Sequence, residues 1–125
     1  MSENEIATVV VDLSYQIHKQ YGPGLLESVY EEILYYELKQ LGFSVERQKP
    51  IPLHHKEIYI PVAFRADLII NNRLLVELKS VETLPKHYYK IVLTYLTLTK
   101  LKLALVVNFN VELIKDGIRR VVNNL

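Results

Sequence analysis

Phe64-Arg65-Ala66-Asp67-Leu68-Ile69-Ile70, Asn71-Asn72-Arg73, Leu74-Leu75-Val76-Glu77-Leu78-Lys79-Ser80 is the stretch whose reading decides the fold. Two apolar segments flank an Asn-rich turn, which predicts a β-hairpin. Asp67, Glu77 and Lys79 stand where Val or Ile would be ordinary. Burying a charge is costly unless it is paired or bound to a metal, so their placement demands a partner.

Register sharpens the point. A two-residue turn at Asn71-Asn72 would pair Ile70 with Arg73 and set Asp67 opposite Val76. A three-residue loop, or a bulge, pairs Ile69 with Leu75 and sets Asp67 opposite Glu77. It also leaves Phe64, Ala66, Leu68, Ile70, Leu74, Val76 and Leu78 on one apolar face, with Asp67, Glu77 and Lys79 together on the other. The second register keeps the apolar face whole and is the one expected. Carboxylates facing each other across a ladder repel unless a cation sits between them. Either a divalent metal such as Mg²⁺, which prefers oxygen ligands, or a structural ion cluster with Lys79 and Arg65 would satisfy them.

Outward from the hairpin, the preceding segment is predicted to form an edge hairpin. Period-two residues from Phe43 lead to a turn at His54-His55-Lys56-Glu57, and Pro50, Pro52 and Pro61 cannot donate to a ladder. His54 and His55 are adjacent on a strand, point to opposite faces, and do not chelate together. Before it, Ser2 and Glu5 make a capping box for a first helix to about His18 or Gln20, and Gly22-Pro23-Gly24 stops it. A second helix is expected over residues 25–41, burying Leu26, Val29, Ile33, Tyr36 or Leu38, and Leu41, and exposing Glu31, Glu32 and Glu37. Gly24 suits a helix start that needs close backbone approach or a positive φ.

After the hairpin, Leu84-Pro85 opens a third helix to about Thr99. Leu101 to Phe109 reads as a strand buried on both faces. Asp116-Gly117 predicts a tight turn between strands 111–115 and 118–122. The order is ααβββαβ plus a C-terminal β-hairpin, an α/β mixed sheet flanked by helices. The chain of 125 residues is expected to be one domain, 1–125, able to bury roughly two thirds of its unfolded surface.

Composition narrows function. The net charge of +1, from 15 basic against 14 acidic residues, gives no bulk drive toward nucleic acid. The absence of cysteine excludes thiolate nucleophiles, disulfides and Cys-ligated zinc. The acidic start is unlike a signal peptide, and the longest apolar run, Leu103 to Val107, is too short to span a membrane, so a cytoplasmic location is expected. Any phosphate-binding surface is local. Lys86 and Lys90, with Arg65, Lys79 and Lys100, are candidates to line such a cleft, against the alternative of solvated lysines. His87 is a candidate phosphate or substrate contact, or a surface histidine. The tyrosines, nine in all, are too many for the core to hide without hydroxyl partners, so base stacking or a homodimer surface stands beside core packing.

Gly24-Leu25-Leu26-Glu27-Ser28-Val29-Tyr30 matches a GxxExxY signature, and Asp67 followed by Glu77-Leu78-Lys79 matches a D…ExK core. His87-Tyr88, Leu93-Thr94-Tyr95-Leu96, Val107-Asn108-Phe109 and Lys115-Asp116-Gly117-Ile118 extend the likeness over nearly the whole chain. On these motifs the sequence resembles the GxxExxY protein family of the PD-(D/E)xK nuclease superfamily. The resemblance implies a restriction-endonuclease-like core and hydrolysis of phosphodiester bonds in nucleic acid, with DNA the expected substrate. Asp67, Glu77 and the main-chain carbonyl of Leu78 would bind Mg²⁺ or Mn²⁺, Lys79 would position or activate water, and Glu27 would add a further catalytic carboxylate. Tyr30, Arg65, Lys86, His87 and Lys90 are the candidate substrate contacts, and a homodimer would serve two-strand cutting. The chain departs from the family pattern in the third helix, where Ile91 stands in place of the Gln of QxxxYL, with Lys90 beside it. The alternative is a catalytically weak or inactive module of the same fold that binds nucleic acid or protein.

Overall fold

The Ser2 hydroxyl accepts the Glu5 N–H and the Glu5 carboxylate accepts the Ser2 N–H, the reciprocal bonds of a capping box. Helix α1 (Glu3–Tyr21) follows, in a computed structural model that describes residues 1–125. Its apolar stripe, Ile6, Val10, Leu13 and Ile17, is buried. Gly22 and Gly24 turn the chain at φ 72° and 109°. At Gly24 nothing lies near the position a Cβ would take, so it is the backbone angle rather than close approach that requires glycine.

Helix α2 (Glu27–Gln40) starts two residues later than expected and is rotated from the expected face. Tyr30, Glu31, Leu34 and Leu38 are buried, while Leu26, Val29, Tyr36 and Leu41 are exposed. The segment has apolar residues on every side, and the buried stripe is displaced by one residue, about 100° around the helix. That rotation also turns Glu31 inward, against the expectation that it is exposed.

Five strands follow: β1 (Val45–His55), β2 (Ile58–Ile70), β3 (Leu74–Lys79), β4 (Leu103–Asn108) and β5 (Ile118–Val122), in the order β1-β2-β3-β4-β5. All neighbours are antiparallel except β3 and β4, which are parallel and joined through helix α3 (Tyr88–Thr99). Strand β1 lies at the edge, where its prolines are tolerated. On one face Leu68, Ile70, Leu74, Val76, Leu78, Leu103, Leu105 and Val107 meet α1 and α2. On the other, Ile69, Leu75, Ala104 and Val106 meet Val92 and Leu96 of α3. Strand β4 is buried throughout, as its unbroken apolar run predicts.

Two expectations fail here. Residues 111–115 form no strand; Ile114–Gly117 is a single 3₁₀ turn, and β5 pairs with β4 instead. Gly117 serves close packing, since a Cβ there would run into the main-chain carbonyl of Asn108. Phe64 and Ala66 also lie on the α3 side, away from Leu68 and Ile70. The alternation along β2 breaks at Asp67, and the ring of Phe64 stacks on Tyr95 at 3.8 Å.

Candidate active site

The β2–β3 turn is the three-residue loop 71–73, with Ile70 opposite Leu74, Ile69 opposite Leu75 and Leu68 opposite Val76. This is the expected register. The ladder stops there, one residue short of Asp67 and Glu77. Beyond it the two side chains take over the main-chain hydrogen bonding. Glu77 Oε2 accepts the N–H of Asp67 at 3.0 Å, and Asp67 Oδ2 accepts the N–H of Leu78 at 2.9 Å. Each strand thus offers a carboxylate to the backbone of the other, and donors that would be orphaned by the separation of the strands are satisfied.

Glu77 is only 4% exposed. Burial, and then the neighbouring charge of Asp67, push its carboxyl up to about 8. Lys79 Nζ sits 4.8 Å from the centroid of the Tyr88 ring, so its charge rests on an aromatic face. Tyr88 and Tyr95, two turns apart on one face of α3, are both held above the ordinary phenol range, chiefly by burial and next by Glu77. Neither Lys79 nor Arg65 forms an ion pair with the two acids. The structural ion cluster is therefore not what stabilises them; backbone donors are.

Asp67 opens into a cleft of about 410 Å³ shared with Glu27, Ser28, Glu31, Gln48 and Leu78. It therefore faces α2 while Lys79 leans toward α3, so the three charged groups meet at an opening in the sheet rather than on one face as the parity predicts. Glu27 Oε2 accepts the N–H of Ser80 at 3.2 Å, and Ser80 Oγ donates to the carbonyl of Leu25 at 2.8 Å, which ties the start of α2 to the end of β3. Two residues here escape the sequence: Glu31 and Gln48. Gln48 Nε2 donates to Glu31 Oε1 at 2.6 Å and to Asp67 Oδ1 at 3.0 Å. Glu31 Oε2 pairs with Arg47 at 3.1 Å. The i, i+4 spacing of Glu27 and Glu31 was the available signal, since it puts both on one helix face.

The family model for the PD-(D/E)XK nuclease superfamily matches residues 4–121. The chain belongs to that superfamily. No curated protein and no solved structure matches the chain. The five-stranded mixed sheet flanked by helices is the restriction-endonuclease-like fold of the superfamily. Membership implies nuclease activity and a nucleic-acid substrate, and PD-(D/E)XK nucleases generally use divalent metal ions. No helix of this member is long and apolar enough to cross a membrane.

The donor set suits such an ion. Asp67, Glu77 and the Leu78 carbonyl are hard oxygen donors, and both carboxylates keep lone pairs beyond the single backbone bond each accepts from the opposite strand. No three His, Asp or Glu side chains are grouped closely enough to hold a metal by themselves. Mg²⁺ does not require that, because it keeps several waters and is commonly bound through one or two carboxylates.

The candidate substrate contacts divide. Arg65, Lys86, His87 and Lys90 are exposed, with Lys86 and His87 in the turn that leads into α3. Tyr30 is completely buried. Its ring stacks on Phe109 at 4.1 Å, and its hydroxyl donates to the Gly22 carbonyl at 2.5 Å and accepts the Leu25 N–H at 3.2 Å. That corrects the expectation of a substrate contact: Tyr30 holds the loop that presents Glu27. Ile91 is 37% exposed on α3, on the helical face between Tyr88 and Tyr95.

Proposed function

We propose that this chain is a divalent-cation-dependent phosphodiesterase of the GxxExxY type, one domain over residues 1–125, hydrolysing nucleic acid and preferentially DNA. The observation that carries the proposal is the reciprocal bonding of the Asp67 and Glu77 carboxylates to the backbone of the opposing strand, at Leu78 and Asp67 respectively, where β2 and β3 part. Two acids that only needed solvation would not be built into the middle of a sheet. In this reading Asp67, Glu77 and the Leu78 carbonyl hold Mg²⁺ or Mn²⁺. The bound ion would lower the pKa of a coordinated water and offset charge on the phosphate.

The remaining work falls to the chain. Lys79, with its ammonium over the Tyr88 ring, presents a cation beside the acids, suited to orient the attacking water or balance charge on the phosphorane-like transition state. Glu27 adds a carboxylate at the mouth of the same cleft. Arg65, Lys86, His87 and Lys90 supply phosphate contacts. Water forms the new bond to phosphorus as the bond to the leaving sugar oxygen breaks. A homodimer would place two such sites on opposite strands, and a cytoplasmic location fits the cysteine-free composition. The second reading, a binding module with weak turnover, is favoured by Ile91, which places an apolar group where the family pattern has an amide.

A mixed pool of single-stranded DNA, duplex DNA and RNA, incubated with Mn²⁺, tests the first reading. The wild-type chain cleaves at least one class, whereas Asp67→Asn and Lys79→Ala lose cleavage by at least about a hundredfold while keeping wild-type circular dichroism. Absence of cleavage by any form, or equal cleavage by all three, refutes the enzyme. Retained binding by all three without turnover identifies the module.

A further inference from the structure

Gln48 is the residue at which the most unusual backbone and the most unusual side-chain contact coincide. It lies inside β1, yet its φ is 46°, in the left-handed region. A non-glycine residue is strained there, so something local must hold it. The β1–β2 ladder pairs Arg47 with Leu68 and Lys49 with Ala66, and skips the step between, where Gln48 faces Asp67. Both strands are irregular at the same step.

The side chain accounts for the distortion. Its Nε2 reaches Glu31 Oε1 at 2.6 Å and Asp67 Oδ1 at 3.0 Å. Both partners are carboxylates, which only accept, so the amide must present its NH₂ to them and the orientation of the group is fixed by its chemistry. Glu31 is held in turn: its Oε2 accepts from Arg47 Nε at 3.3 Å and Nη2 at 3.1 Å, and Arg47 also reaches Glu32 at 2.7 Å. Asp67 is thereby gripped at both oxygens, Oδ1 by Gln48 and Oδ2 by the Leu78 N–H. The plane of its carboxylate is set.

We propose that Gln48 is a positioning residue for the site: it fixes Asp67 for ligation and, as a neutral donor, bridges Asp67 and Glu31 without placing a positive charge beside the metal position. An arginine or lysine there would also satisfy both acids, but its charge would oppose a divalent cation. The backbone strain at Gln48 is what sends the amide into the cleft. This inference rests on Asp67 being a metal ligand.

The test uses the full chain, with Mn²⁺ as the probe. Isothermal titration gives its dissociation constant, and thermal melts are recorded with and without the ion. Gln48→Ala is expected to weaken Mn²⁺ binding by about 10- to 100-fold, the usual effect of removing a group that orients a ligand, while the metal-free melt stays near wild type. Gln48→Glu keeps the shape but faces Asp67 and Glu31 with a third carboxylate. Its metal-free melting temperature is expected to fall, and Mn²⁺ to raise it by more than it raises the wild type. Wild-type affinity in Gln48→Ala, or an unchanged metal-free melt in Gln48→Glu, overturns the role of Gln48 and leaves the metal site standing. If the wild-type chain binds no Mn²⁺, the metal reading itself fails. The Asp67 carboxylate ¹³C shift in metal-free wild type and Gln48→Ala then decides the contact alone: a shift between the two supports it, and identical shifts refute it.

Discussion

The β2–β3 hairpin is two structures in one. From Leu68 to Ile70 and from Leu74 to Val76 it is a regular ladder, apolar on both faces and buried between α3 and the α1–α2 layer. One step further along, at Asp67 and Glu77, the ladder gives way and side-chain carboxylates bond the backbone of the opposing strand. The difference lies in what each half optimises. The ladder half gains from burial and uniform hydrogen bonding. The open half keeps a carboxylic acid in the interior, an arrangement that lowers stability and makes sense only if a ligand repays it.

Leu75→Ala probes the ladder half and carries the largest expected effect. Leu75 is fully buried between Ile69 and the α3 side of the core. Truncation there removes transfer energy and leaves a cavity, so unfolding in urea should show a loss of about 3–5 kcal/mol. Mn²⁺ affinity, measured where the variant is folded, should not change. A comparable loss of affinity would mean that the two halves are not separable.

Glu77→Gln probes the open half and should act in the opposite direction. In metal-free protein the Glu77 carboxyl titrates near 8 rather than 4.5, because it is buried and lies beside Asp67. The folded state therefore keeps a proton that the unfolded chain releases above pH 4.5. The stability this contributes is complete below pH 4.5 and is lost as pH rises through about 8. Gln mimics the protonated acid at every pH. With chelator present, the variant should match wild type near pH 4.5 and be clearly more stable than it at pH 9, while Mn²⁺ binding is abolished. Parallel stability curves for the two proteins from pH 5 to 9 would show that Glu77 is not a buried acid.

The same division governs what could be seen in the sequence. The ladder half was legible because its alternation admits one register that keeps an apolar face intact, and the three-residue loop at 71–73 confirms it. Strand β4 was legible for a similar reason, an apolar run with no polar side to expose. Helix α2 was not. With Leu26, Val29, Tyr30, Ile33, Leu34 and Tyr36 spread round its axis, several faces could be buried, and only contact with the sheet selects the stripe of Tyr30, Leu34 and Leu38. That one-residue rotation concealed Glu31 as well. Gln48 was hidden for a different reason, since nothing in Arg47-Gln48-Lys49 announces a left-handed backbone inside a strand. Asp67, Glu77, Lys79 and Glu27 were legible as motif residues, but their division between an α2 cleft and the α3 side depends on where β2 breaks its alternation.

Tyr30→Phe, the mildest change, asks how the open half is joined to the helices. The Tyr30 hydroxyl bonds the Gly22 carbonyl and the Leu25 N–H, and Leu25 in turn accepts the Ser80 hydroxyl beside the Glu27 carboxylate. Phenylalanine keeps the stack on Phe109 and removes only the hydroxyl. The expected loss is about 1 kcal/mol, or a few degrees in melting temperature for a chain of this size. Amide hydrogen exchange should quicken at Leu25 and Ser80 and stay unchanged at Ile69 and Leu75, whose protection comes from the ladder. If Ile69 and Leu75 quicken equally, the loop is coupled to the whole sheet, and Tyr30 is an ordinary core residue rather than the brace of the α2 entry.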